Sequence, residues 1–340
     1  MMTSKIDTNQ YRGAWIFVEQ TEGQPARVSL ELLGKGRELA DKLSVELSAF
    51  LVGDSLGNLA KELIFYGADR VIVADDPMLK EYRTELYAGV ISEQVLKEKP
   101  EVLIIGATPI GRDLAPRLSF RLNAGCTADC TGLDIDEENR LFVSTRPAFG
   151  GNVMATIICP EHRPQMSTVR PGVMALPEKD ESRKGEIVEL DLQINIKDVW
   201  VEILESVRAK SEGLGIQEAD RIVAVGMGAG DEETFSMIKE LAELINAEMG
   251  ATRLAVEAGW ISHDHQIGQT GKTIRPDLYI ACGISGAIQH TAGMSGSKVI
   301  VAINNDHNAE IFKTADYGIV GDIRKMIPAI IAELRRLTTS

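Results

Sequence analysis

An apolar run in the last quarter of the chain is followed by glycine, serine and histidine residues. The run at residues 278–282 reads LYIAC and is typical of a buried strand; it leads into Gly283-Ile284-Ser285-Gly286 and a helical stretch carrying Gln289 and His290. Glycines let a backbone approach a ligand closely, and a helix start offers unpaired N–H groups to a diphosphate. The pattern favours a nucleotide site, with a plain strand-to-helix turn as the simpler alternative.

Two enzyme motifs are matched only in part in the neighbouring sequence. The second residue after Ser285 is not glycine, so the GxSxG motif of a hydrolase nucleophile is absent. The tripeptide Gly271-Lys272-Thr273 matches the end of a P-loop, but Gln266 stands where that motif needs its first glycine. We therefore expect neither a hydrolase nor a nucleoside triphosphatase. The 266–273 loop is still rich in donors that suit phosphates or the edge of a heteroaromatic ring.

The remaining chemical signals are weak. The segment Gly226-Met227-Gly228-Ala229-Gly230 resembles a dinucleotide fingerprint, but Asp231 takes the sixth position, where a glycine is needed. His263 and His265 flank an aspartate without a third ligand at helical spacing, and the four cysteines form no pair of CxxC motifs. We expect no metal site and reduced thiols.

Length and charge narrow the class of protein. A chain of 340 residues exceeds what one hydrophobic core usually supports, which predicts about two domains. The formal net charge of -14 would repel a polyphosphate backbone, so nucleic acid is not an expected partner. No signal-peptide core and no run of 18 apolar residues is present, which predicts a cytoplasmic protein without membrane insertion.

The secondary-structure pattern predicts two α/β domains. In residues 1–210, β-branched runs alternate with helical stretches, which is typical of a parallel sheet with crossover helices. Residues 132–172 are rich in turns and predict antiparallel strands. A linker is expected at residues 211–215, and the alternation restarts in residues 211–340 with a strand, a helix at 232–249 and further strands. The second domain is therefore expected to be doubly wound, with ligands beyond the carboxyl ends of its strands.

Residues 252–328 resemble the FAD-binding stretch of the electron transfer flavoprotein alpha subunit. The matching segments are Thr252-Arg253, Ala258-Gly259, Gln266-Ile267-Gly268-Gln269-Thr270-Gly271-Lys272, Leu278-Tyr279-Ile280-Ala281, Gly283-Ile284-Ser285-Gly286-Ala287-Ile288-Gln289-His290, Ala292-Gly293-Met294, Ile300-Val301-Ala302-Ile303-Asn304 and Ala315-Asp316-Tyr317-Gly318-Ile319-Val320. The first domain is similar through Gly106-Ala107-Thr108, Gly111-Arg112-Asp113-Leu114-Ala115-Pro116 and Thr168-Val169-Arg170-Pro171-Gly172. The resemblance therefore covers nearly the whole chain.

This resemblance implies a fold and a function. Residues 1–210 would form a Rossmann-like α/β domain of the nucleotide-hydrolase type that docks a smaller beta subunit. Residues 211–340 would form the FAD-binding domain, which swivels to meet different redox partners. The heterodimer would carry electrons to or from a partner such as an acyl-CoA dehydrogenase or a quinone oxidoreductase, and this subunit alone would convert no substrate.

The resemblance also implies roles for single residues. Arg253 would lie over the flavin ring, Thr270 would reach its N5 side, and His290 would bond the pyrimidine edge, so these three would tune the flavin. Asn304 and Asp322 would hold the adenosine end. The full set expected to bind the cofactor is Thr252, Arg253, Gln266, Ile267, Gly268, Gln269, Thr270, Ser285, Gly286, Ala287, Ile288, Gln289, His290, Asn304, Asp322 and Ile323.

Three alternatives remain open at this point. The segments at 113–118 and 127–131 and the Arg-Pro-rich region within 132–172 resemble anaerobic relatives in which the beta subunit holds a second FAD and NADH-dependent electron bifurcation takes place. A nucleotide-binding enzyme would need a phosphate-binding loop after the first strand, where Glu19-Gln20-Thr21-Glu22-Gly23 carries two acids instead. The third alternative is a scaffold subunit without a cofactor.

Overall fold

A computed structural model describes residues 6–148, 153–194, 199, 201–206, 215–217 and 219–338. The chain divides into two compact units, Met1–Val207 and Arg208–Ser340. Of the linker expected at residues 211–215, all but Gly215 lies outside the described residues. None of the helices in the described ranges combines the length and apolarity needed to cross a bilayer.

A seven-stranded parallel sheet forms the centre of the first unit. In chain order, the strands and helices of this unit are β1 (Ala14–Val18), β2 (Gln20–Thr21), β3 (Gln24–Pro25), α1 (Arg27–Leu43), β4 (Leu47–Gly53), α2 (Leu59–Phe65), β5 (Arg70–Asp75), α3 (Thr84–Glu98), β6 (Val102–Gly106), α4 (Pro109–Leu122), β7 (Cys126–Cys130), β8 (Gly132–Asp136), β9 (Leu141–Ala148), β10 (Val153–Ile157), β11 (Gln165–Val169) and β12 (Glu186–Glu189). The order across the sheet is β12-β5-β4-β1-β6-β11-β7. The predicted parallel sheet with crossover helices is therefore confirmed.

Continuous apolar sequences explain the central strands of this sheet. β1 and β6 are buried at every residue, as expected where helices cover both faces of a parallel sheet. Residues of α1 and α2 pack on one face, and residues of α3 and α4 pack on the other.

The turn-rich part of the first unit contains a second, smaller sheet. The antiparallel strands predicted for residues 132–172 are confirmed for β8, β9 and β10, which lie in the order β10-β9-β8. For β11 the prediction is wrong, because this strand pairs in parallel with β6 and β7 inside the large sheet. β11 is fully buried although it is polar, since Gln165 accepts a hydrogen bond from the Phe142 amide and Ser167 bonds Ser144.

The second unit contains a five-stranded parallel sheet. Its elements are β13 (Arg221–Val225), α5 (Glu232–Leu244), β14 (Glu248–Ala251), α6 (Arg253–Glu257), β15 (Leu278–Cys282), α7 (Ile288–Thr291), β16 (Val299–Asn304), β17 (Tyr317–Val320) and α8 (Ile323–Thr338). The spatial order β14-β13-β15-β16-β17 is a doubly wound order, as predicted. α5, α6 and α8 contribute to the core on one face, and loop residues cover the other.

One predicted helix of this unit is too long. The helix expected at 232–249 ends at Leu244, and its last two expected residues belong to β14, which begins at Glu248. Asn246 adopts a left-handed conformation with φ of 52°, which stops the helix. Position 250 in β14 requires glycine, because a Cβ there would come within 2.3 Å of the Cδ1 atom of Ile267.

Candidate functional site

The site lies at the carboxyl edge of the second sheet. From β13 the chain crosses to β14 on one side, and it later returns to β15 on the other side of β13. The loops after β13 and β15 therefore flank a topological switch point, where ligands of doubly wound folds bind.

The loop after β15 offers a row of unused hydrogen-bond donors. Among the described residues, no acceptor receives a hydrogen bond from the backbone amides of residues 285–289, which lead into α7. Gly286 holds the loop in shape with φ of +90°, and a Cβ at this position would lie 2.0 Å from the Ile311 amide nitrogen. Such a row of amides can bind the oxygens of a phosphate or diphosphate.

The loop after β13 supports its neighbour instead of offering donors. Within Gly226–Gly230, the amides of Gly226 and Gly228 donate to the carbonyls of Cys282 and Gly283, and those of residues 229 and 230 donate within the loop. Asp231 then caps α5 by accepting from the Thr234 amide. The fingerprint-like spacing thus serves close backbone packing in this fold.

The 266–273 loop is tied to the start of α7. The Gln269 amide donates to the Gln289 carbonyl at 2.7 Å, and Gly268 has φ of +137° where a Cβ would meet that same carbonyl oxygen. Buried Gln266 donates through Nε2 to the Thr270 hydroxyl at 2.9 Å. The Thr270 hydroxyl accepts this bond, so its own hydrogen can still be donated to a ligand.

His290 is buried and both of its ring nitrogens have protein partners. Nδ1 lies 3.1 Å from the Ile267 carbonyl oxygen, and Nε2 lies 2.8 Å from the Tyr279 hydroxyl. Burial lowers the pKa of His290 to about 4, so the imidazole is neutral at pH 7. It therefore brings no positive charge to the site.

Arg253 supplies a charge in an open position. It is the first residue of α6, directly beyond the carboxyl end of β14, and its side chain is 66% exposed. Its Nε lies 2.7 Å from Oε1 of Glu257 one turn later. An exposed pair of this kind is weak, so the guanidinium can turn to a ligand at low cost.

The residues expected at the adenosine end have mixed environments. Asn304 is buried at the end of β16, donating through Nδ2 to the Ile284 carbonyl and accepting through Oδ1 from the Asp306 amide. Asp322 is exposed and accepts from the Arg324 amide at the start of α8. Ile323 is buried in the core. Asn304 thus joins two loops, and of the three only Asp322 is exposed to a ligand.

The structure brings all the expected binding residues to one edge of one sheet. They lie at or just beyond the carboxyl ends of β14, β15, β16 and β17, or in the loop that packs on α7. Two side chains next to these residues give no signal in the sequence. Tyr279 belongs to an apolar strand and therefore looks like a core residue in the sequence. Arg324 is distant in sequence from its partner Asp231, which its guanidinium approaches to 2.5 Å.

The carboxyl edge of the sheet in the first unit carries an acidic side chain at the start of a helix. At the end of β1, the Glu19 carboxylate accepts a hydrogen bond from the hydroxyl of Thr108, which caps α4. Burial raises the pKa of Glu19. A carboxylate therefore lies at the helix start where a nucleotide phosphate would have to bind, which argues against the nucleotide-binding enzyme.

Both units match families of known proteins. Residues 14–195 match the family described as the electron transfer flavoprotein domain, and residues 215–295 match the electron transfer flavoprotein FAD-binding domain. The chain is 55% identical over 329 residues to the electron transfer flavoprotein subunit alpha of Thermoanaerobacterium thermosaccharolyticum, covering 97% of this chain and 99% of that one.

Two further relatives are similar over their whole length. The alpha subunit of Clostridium acetobutylicum is 50% identical, with 96% of this chain and 97% of that one covered. The acryloyl-CoA reductase electron transfer subunit beta of Anaerotignum propionicum is 42% identical, with 98% and 99% covered. This chain therefore belongs to the electron transfer flavoprotein family, among its alpha subunits.

Proposed function

We propose that this chain holds FAD in its second unit and carries electrons as part of a heterodimer in the cytoplasm. The observation that carries the proposal is the row of unused amides at residues 285–289, placed at the switch point of the sheet. These donors fit the diphosphate of a dinucleotide, and the matched family is described as FAD-binding.

The surrounding side chains suit the rest of FAD. Arg253 provides a mobile positive charge and Thr270 a free hydroxyl hydrogen, which fit the flavin ring. Asp322 offers exposed carboxylate oxygens to the ribose hydroxyls of the adenosine end. When bound, FAD would supply the one-electron chemistry, while this chain would bind and orient it.

The first unit offers a surface for the smaller beta subunit. Val153 and Met154 on β10 are 51% and 55% exposed. Apolar side chains on an edge strand are typical of protein interfaces. We therefore place the beta subunit on the first unit, and partners such as an acyl-CoA dehydrogenase at the second.

Bifurcation is the second candidate function. It is favoured by the segments at 113–118 and 127–131, which resemble anaerobic bifurcating relatives. In that case the beta subunit would hold a second FAD, which would supply the chemistry of NADH-dependent bifurcation.

Counting FAD in the purified heterodimer tests both candidates. One FAD for each heterodimer supports the simple carrier, and two support bifurcation. A colourless heterodimer that takes up no added FAD would contradict the proposal as a whole.

A pair of glycine variants tests the location of the site. Gly286→Ala places a Cβ against the Ile311 amide at a residue with φ of +90°, so FAD should be lost. Gly259→Ala is the matched control, because Gly259 has φ of +78° but a Cβ added there would meet no atom within 4 Å. Equal FAD content in both variants would move the site elsewhere.

A further inference from the structure

Tyr279 carries a buried hydroxyl in the middle of the second sheet. The residue belongs to β15 and is 0% exposed. Its hydroxyl lies 2.8 Å from Nε2 of His290, which is also buried. The hydroxyl is a single O–H group, so a buried partner has to be present to satisfy it.

The chemistry of the partners determines where the hydrogens lie. The Ile267 carbonyl oxygen can only accept, so Nδ1 of His290, 3.1 Å away, must carry a hydrogen. Burial lowers the pKa of His290 to about 4, so the neutral ring has no second hydrogen. Nε2 is therefore an acceptor, and Tyr279 donates to it.

We propose that Tyr279 is a positioning residue, which holds the ring of His290, in its Nδ1–H form, against the sheet and thereby ties the 266–273 loop to β15. The chain of contacts runs from β15 through the Tyr279 hydroxyl and the His290 ring to the Ile267 carbonyl. Three separate segments of the chain are joined by these two hydrogen bonds.

This arrangement has a consequence for the ligand. His290 has no free ring N–H, so it can donate to a ligand only by breaking its hydrogen bond to the Ile267 carbonyl. Its contribution to binding is therefore to hold the loop that carries Gln269 and Thr270 in place before the ligand arrives. A loop ordered in advance lowers the entropic cost of binding.

Nitrogen NMR of the full chain in its heterodimer, labelled at histidine, tests the assigned tautomer directly. The chain has five histidines, and the spectrum of His290→Gln identifies the signals of His290. We expect Nδ1 to be protonated and Nε2 to be unprotonated, with or without FAD. Protonation at Nε2 in either state would overturn the proposal, and this measurement needs no Tyr279 variant that folds.

Tyr279→Phe tests the positioning role. This variant removes only the hydroxyl, so Nδ1 of His290 should stay protonated towards Ile267, while the Nε2 signal should shift towards that of an acceptor nitrogen without a hydrogen bond. The dissociation constant of FAD should rise roughly two- to tenfold, the effect of one hydrogen bond. Tyr87→Phe is the matched control, because the Tyr87 hydroxyl is also buried and donates to the Leu79 carbonyl in the first unit.

The prediction of weaker FAD binding rests on the proposed function, whereas the NMR prediction does not. The two measurements therefore separate this inference from the proposed function. Unchanged His290 signals in Tyr279→Phe would overturn the inference even where FAD binds well. An equal loss of FAD affinity in Tyr87→Phe would also overturn it, because the effect would then be general. A protein with the assigned tautomer but no affinity for FAD would contradict the proposed function alone.

Discussion

Arg253 and His290, both expected to tune a flavin, have opposite environments. Arg253 is exposed and charged, with a weak partner in Glu257. His290 is buried, neutral and bonded on both ring nitrogens. A positive charge that favours addition of an electron to a bound flavin is therefore available from Arg253 and not from His290.

Replacing Arg253 should lower the first reduction potential of the bound FAD. A hydrogen bond to a charged group contributes about 1.5–3 kcal/mol, which corresponds to roughly 65–130 mV for one electron. We expect the low end of this range for Arg253→Ala, because the side chain is open to solvent. Arg253→Lys should restore only part of the potential, since it lacks the planar fork.

Glu257→Gln is the control for this redox titration. It removes the ion-pair partner and keeps the guanidinium, so the potential should not fall. If Arg253→Ala keeps FAD and the wild-type potential, then Arg253 has no part in tuning.

His290 should make the second unit sensitive to acid. Its folded pKa of about 4 lies below the ordinary value of 6.5, so folding favours the neutral ring. The corresponding stability is fully present above pH 6.5 and is lost as the pH falls towards 4, by at most about 3 kcal/mol. Hydrogen exchange of β15 amides should show a steeper acid loss in the wild type than in His290→Gln, and parallel pH profiles would refute this.

At the scale of elements, β10 is an exposed edge strand of the first unit. It lies at the edge of the three-stranded sheet, pairs with β9 alone among the described strands, and exposes Val153 and Met154. Exposed apolar edge strands promote unwanted pairing unless another surface covers them. This strand is therefore the best candidate for the centre of the subunit interface.

Met154→Asp should weaken assembly of the heterodimer. A charge buried without a partner at an interface costs several kcal/mol, so the dissociation constant should rise at least about a hundredfold. Leu96→Asp on α3 is the control, because Leu96 is 57% exposed and Met154 is 55% exposed. Analytical ultracentrifugation at micromolar concentration measures both, and equal association of the two variants would exclude β10 from the interface.

At the scale of the whole molecule, each of the two units has its own sheet and its own hydrophobic core. Units of this kind within one chain commonly move relative to each other. The proposed site lies within the second unit alone, so such movement would carry the cofactor without disturbing its binding.

Chemical crosslinking of the two units in the FAD-loaded heterodimer should slow electron transfer to its partners. Movement lets one flavin meet different proteins, so a fixed arrangement should suit at most one of them. The same reagent with a single reactive end is the control for modification itself. Unchanged rates to every partner after crosslinking would show that the units need not move.

The amino-acid sequence by itself determined the two parallel sheets. Central strands such as β1 and β13 are short apolar runs bounded by turn residues, and these local features are visible in any single chain. The sequence also indicated the edge at which the site lies, because residues that directly follow parallel strands must meet at the carboxyl edge.

Only the tertiary structure determined which segments form strands where the stabilising partners are distant in the sequence. β11 is polar in sequence and buried in the fold, since Gln165 and Ser167 are satisfied by Phe142 and Ser144 more than 20 residues earlier. β14 is four residues long and forms because β13 offers it a parallel edge. Local propensity contains no information about either partner.

The same limit applies to the site. The sequence pattern indicated that His290 lies near the proposed ligand. Its protonation state, however, depends on Tyr279 and Ile267, which lie 11 and 23 residues away in the chain. Hydrogen-bond partners and burial determine which ring nitrogen carries the hydrogen and whether the ring is charged. Both are properties of the packed interior, so they arise only when the sheet and its loops have assembled.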